Sequence, residues 1–74
     1  MSPTRKHFPI LIEQDNDGFF IVSCPLFKGC HSYGANIDDA LHNIQEVIEM
    51  CLEEQRYEDS INTFIGIRDI ELAI

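Results

Sequence analysis

Only one stretch of this chain has the period of an amphipathic helix, and that helix must serve a whole sheet. Ile37, Ala40, Leu41, Ile44, Val47, Ile48, Cys51 and Leu52 recur at steps of three and four, drawing one apolar stripe down a helix of about four to five turns. Asn36 is placed to cap it, and Asp39, three positions on, lies near the positive end of the helix dipole. The spacing predicts a helix beginning at Ile37. The other apolar runs are short, bounded by turn residues and suited to strands.

Two of them, Phe8-Pro9-Ile10-Leu11-Ile12 and Phe19-Phe20-Ile21-Val22, are separated by Glu13-Gln14 and the cluster Asp15-Asn16-Asp17-Gly18. Asp and Asn side chains cap a bend and glycine accepts a positive φ, so this segment reads as a hairpin with a four- or five-residue loop. Side chains alternate across a strand, which puts Phe19 and Ile21 on one face and Phe20 and Val22 on the other. Both faces of the sheet are therefore apolar. Pro25 ends the second strand, Gly29 permits a turn, and Cys30-His31-Ser32-Tyr33 forms a third strand closed by Gly34. Beyond the helix and a loop around Tyr57 to Asn62, residues 65–74 read as a final strand, with strict alternation from Ile70 onward.

The resulting order, β-β-β-α-β, defines an α+β domain. Hairpin links leave strand three parallel to strand one, and a right-handed helical crossover then lays strand four beside strand one, giving a four-stranded mixed sheet of order 3-2-1-4 with one helix on one face. The 74 residues make a single domain, with 1–7 as a flexible N-terminus. One helix covers one side of that sheet, so the other apolar side calls for cover from a homodimer, a higher homo-oligomer or another chain.

Composition narrows the partners. Five basic against thirteen acidic residues give 5 − 13 = −8, a charge that repels phosphate backbones and anionic lipid and favours basic proteins. Direct nucleic-acid binding is not expected, nor is membrane association, since no apolar run approaches the ~20 residues of a membrane span. Cys24, Cys30 and Cys51 are an odd set without scaffold spacing, and the N-terminal apolar run is broken by Pro9 and Glu13 before it resembles a signal peptide. A reducing cytoplasm is the expected location.

No catalytic, cofactor or metal site emerges. Cys24, Cys30 and His31 lack the spacing and the full ligand set of a zinc site; Cys24 and Cys51 suit a core, and Cys30 sits at a strand start. Asp15 and Asp17 open like a calcium loop, but Phe20-Ile21-Val22 follow where ligands are needed, so the pair are turn residues. His7, His31 and His42 are assigned to the surface, and Ser23, Ser32 and Ser60 have no nucleophile-elbow context. A degenerate nuclease is disfavoured because the acids lie mostly on the helix and in one turn rather than at converging strand ends.

Phe8-Pro9-Ile10-Leu11-Ile12-Glu13, the run Asp17-Gly18-Phe19-Phe20-Ile21-Val22-Ser23-Cys24-Pro25, Gly29-Cys30-His31-Ser32-Tyr33-Gly34 and the helix start Asp39-Ala40-Leu41-x-Asn43-Ile44 together resemble the HicB-family antitoxins, over about residues 8 to 54. The resemblance implies a partial ribonuclease-H-like fold without that enzyme's metal-binding acids. It also implies a non-catalytic role: neutralising a small basic HicA-type toxin that cleaves mRNA. Leu26-Phe27-Lys28 stands where the family usually has Asp-Leu-Pro, and the chain reads as a short form without the C-terminal DNA-binding module of many members. The residues expected to meet the toxin are the helix acids Asp38, Asp39, Glu46, Glu49 and Glu53 for steering, with Phe20 and Val22 for apolar contact. The competing reading is an orphan homo-oligomeric module with no toxin.

Overall fold

The computed structural model describes residues 5–54 and 61–74. Three strands, β1 (Leu11–Gln14), β2 (Phe20–Ser23) and β3 (His31–Gly34), form an antiparallel sheet of order β1-β2-β3, followed by the helix α1 (Ile37–Glu53). The register pairs Ile12 with Val22 and Val22 with Ser32 on one face, and Glu13 with Ile21 and Ile21 with Tyr33 on the other.

The first turn is built as its residues dictate. One Asp15 carboxylate oxygen accepts from the backbone N–H groups of Asp17 and Phe19, each at 2.9 Å, and Gly18 takes the positive φ, 93°, that closes the bend. The ladder on β1 begins later than the apolar run does. Pro9 has no N–H to give a ladder, and Phe8 instead stacks on Phe27 with ring centroids 6.0 Å apart.

Helix α1 starts at the expected residue. Asn36 accepts from the Asp39 N–H at 2.8 Å and donates to the Asp39 carboxylate at 3.1 Å, a reciprocal cap. Asn43 ties the helix back to the sheet by donating to the Tyr33 carbonyl at 2.8 Å. The closest approach is at Gly34, where a Cβ would lie 2.5 Å from the Ala40 backbone nitrogen, so β3 and the first helical turn can meet only if this residue has no side chain. The core beneath α1 consists of Val22, Cys24, Leu26, Phe27, Cys30, Ala40, Ile44 and Ile48. Leu26 and Phe27, from the segment that departs from the family pattern, are both buried in it.

Residues 65–74, expected as a fourth strand, take no part in the sheet, and the 3-2-1-4 order gives way to three antiparallel strands. Alternation fixes which side chains share a face but not which edge receives them. The segment is anchored only at its start: the Asn62 N–H donates to the Leu26 carbonyl at 2.7 Å and its side-chain amide to the Pro25 carbonyl at 3.2 Å. Beyond Phe64, Ile65, Ile67, Ile70, Leu72 and Ile74 are all strongly exposed. The radius of gyration, 14.5 Å, accordingly exceeds the roughly 11 Å of a compact chain of this length. The loop expected around Tyr57 lies, apart from Ile61 and Asn62, outside the described residues.

Replacing Gly34 with Ala is expected to cost about 1–3 kcal/mol by forcing β3 away from the helix. Urea unfolding should show this as a lower midpoint with little change in slope; an unchanged midpoint would contradict the close approach.

Candidate partner-binding surface

The acids form an ordered column. At about 100° per residue, Asp38, Asp39, Glu46, Glu49 and Glu53 fall within a sector about 100° wide, opposite the buried Ala40, Ile44 and Ile48. All five are exposed. Within the helix the one ion pair is His42 with Glu46, 3.5 Å apart and both well exposed, and the last turn carries no basic residue. Asp39 is also engaged in the cap with Asn36.

This arrangement opposes helix stability at two points. Glu46 with Glu49 and Glu49 with Glu53 are like charges three and four residues apart, each pair unfavourable by about 0.2–0.5 kcal/mol. Glu53 and Glu54 lie at the negative end of the dipole, where a cation would stabilise the helix by roughly 0.3–1 kcal/mol instead.

The sheet face away from α1 carries a second feature. Phe19 and Tyr33 meet edge to face, ring centroids 6.4 Å apart and planes at 89°. With Ile21, Asp15, His31 and Ser32 they bound a shallow concavity of about 350 Å³. Tyr33 is 65% exposed and Phe19 43%, an apolar patch left bare by the single chain.

The two apolar residues expected to touch a partner lie on the helix side. Val22 is fully buried and Phe20 is half-buried against the core, so Val22 offers no surface. The bare face belongs to Phe19, Ile21 and Tyr33. Phe19 and Ile21 were readable from the alternation; Tyr33 joins them only through the β2–β3 register, which the Pro25–Gly29 turn sets.

Among the described residues no group of three or more His, Cys, Asp or Glu side chains is arranged to hold a metal ion. His7, His31 and His42 are all exposed. Cys24 and Cys30 are buried free thiols, and Cys51 is half-buried and free. Burial pushes the Cys30 thiol from an ordinary 9.0 up to about 11, and the neighbouring Cys51 and Cys24 sulfurs add to the rise. Cys30 is thus a core side chain and a poor nucleophile at neutral pH.

An acidic helix face and a bare aromatic sheet face are the two prominent open surfaces of this small α+β domain among the described residues. A family model, the HicB_like antitoxin of bacterial toxin-antitoxin systems, matches residues 8–70. The chain belongs to this family of HicB-like antitoxins. It is similar to the UPF0150 protein ssr1258 of Synechocystis sp., 47% identical over 66 residues that cover 89% of this chain and 94% of that one. It is also similar to UPF0150 proteins of Archaeoglobus fulgidus, 36% identical over 88% of this chain and 93% of the relative, and Thermotoga maritima, 30% identical over 97% of each. No solved structure matches the chain significantly. No helix among the described residues is long and apolar enough to cross a membrane.

The raised Cys30 value has a consequence for stability. The folded chain disfavours the thiolate, so this contribution is intact below pH 9.0 and is lost as pH climbs toward about 11. Unfolding midpoints taken across that window should fall more steeply for the native sequence than for Cys30→Ala; parallel declines would contradict the assignment.

Proposed function

We propose that this chain is a non-catalytic antitoxin that binds and sterically neutralises a small basic ribonuclease of the HicA type. Family membership supplies the toxin as a class of partner. The observation that carries the rest is the carboxylate column on α1, five acids in one sector on a chain of net charge −8, of which Glu46, Glu49 and Glu53 are set where they weaken the helix. A toxin that grips RNA presents positive charge, and this column draws that charge in.

Steering sets the rate of encounter; desolvated apolar contact sets how long the complex lasts. The apolar part is assigned to Phe19, Ile21 and Tyr33 on the bare sheet face, which Phe20 and Val22 support from the helix side. The protein acts in the cytoplasm, where the toxin's mRNA substrate lies and where Cys24, Cys30 and Cys51 stay reduced. It contacts no nucleic acid directly, and it works as a homodimer or higher homo-oligomer, since one helix leaves apolar surface on each chain uncovered. When an additional strand is present the sheet takes the 3-2-1-4 order of a partial ribonuclease-H-like fold.

Glu46→Gln combined with Glu49→Gln is expected to slow association with a HicA-type toxin by about tenfold at low salt and to flatten its ionic-strength dependence. Stopped-flow binding at several salt concentrations measures both. Rates that match the native chain at low salt would remove the steering role, while Tyr33→Ala should act mainly on the dissociation rate.

A further inference from the structure

The unpaired C-terminal segment and an unfilled edge lie on the same molecule. Strand β1 is paired to β2 on one side only, which leaves one row of its backbone groups without a ladder partner among the described residues. Beside this edge is a groove of about 400 Å³, with Phe8 and Ile10 on one wall and Leu41, Ile48 and Leu52 of α1 on the other. Residues 61–64 begin next to Phe8 and Pro9, bordering a second hollow with Leu26, yet the chain continues past Phe64 without pairing to β1.

The free segment has the pattern of a strand with one apolar face over 70–74, preceded by a short apolar stretch at 65–67. Ile65 and Ile67 share one parity and Ile70, Leu72 and Ile74 the other, all strongly exposed in the single chain. We propose that residues 65–74 of one chain add as a strand to the free β1 edge of a second copy, reciprocally, so that two chains complete each other's sheet. Each sheet then has the order 3-2-1-4 with the fourth strand supplied by the partner. This deepens the self-association proposed above by naming the segment and edge that carry it.

Charge favours a second copy over a basic toxin as the occupant. The segment carries one arginine, Arg68, against Asp69 and Glu71, while Lys6 and His7 stand exposed on the side of the groove that leads into β1 and Glu49 lies on its helix side. A slightly acidic strand suits that rim and a cationic partner does not. Plug and socket on one molecule also close under two-fold symmetry, whereas an edge left open would template uncontrolled assembly.

The test uses the full chain. Sedimentation velocity should give a particle of twice 8.5 kDa for the native sequence and 8.5 kDa for the double variant Ile70→Glu with Leu72→Glu. In the single chain both side chains lie in solvent, at 85% and 74% exposure, so the subunit's own packing loses nothing, and an unchanged helical circular dichroism signal checks this. A mixed sample of differently isotope-labelled chains should show amide contacts between residues 65–74 of one chain and Leu11–Gln14 of the other. A dimer that survives the double variant would overturn the exchange and leave self-association standing. A native chain that is monomeric overturns both, whether the segment is free, is paired to its own β1, or becomes ordered only when the toxin is added.

Discussion

Ala40, Ile44 and Ile48 of α1 share one buried layer with Val22, Cys24, Leu26, Phe27 and Cys30, and this layer is the whole buried core of the described residues. Burying a side chain such as Val22 or Ile44 completely contributes about 1.5–3 kcal/mol each. A core of eight buried hydrophobic residues leaves little margin in a chain this small. The layer forms because Gly34 lets the helix's first turn approach β3 and because Asn36 and Asn43 fix where the helix begins and how it hangs from the strand. That places every helical apolar side chain on one side of the sheet.

The other surfaces follow from that placement. The back of α1 faces solvent and carries a carboxylate column that nothing within the helix neutralises apart from His42. The far side of the sheet displays Phe19, Ile21 and Tyr33, and β1 keeps an open edge. These three surfaces differ in chemistry and lie on different parts of the domain. The acidic column complements positive charge, the aromatic face on the opposite side of the domain complements apolar surface, and the edge can accept a strand. In such an assembly, pairing between copies would leave the acidic face of each chain free.

Much of this was legible from residue order. The hairpin followed from Asp15-Asn16-Asp17-Gly18, and the capped helix from Asn36, Asp39 and the three-four spacing of Ala40, Ile44 and Ile48. The separation of Phe19 and Ile21 from Phe20 and Val22 also held, because strand parity is a local property. What stayed hidden depends on distant contacts. Val22 looked available as a contact residue, but whether a strand face is covered depends on where a helix fifteen or more residues away comes to rest. Tyr33 belongs to the bare face only through cross-strand register. Alternation from Ile70 to Ile74 marked a strand pattern without revealing that it stays unpaired beside the open edge of β1 in the single chain.

The central claim is that a single copy leaves apolar surface that only another chain can cover. Fluorescence of a hydrophobic dye, followed through a dilution series of the purified protein, tests it directly. The account expects the signal per chain to rise on dilution as partners separate and Ile65, Ile67, Ile70 and the β1 groove become bare. A signal that stays at background from the highest concentration to the lowest would mean that one copy buries its own apolar surface, and would contradict it.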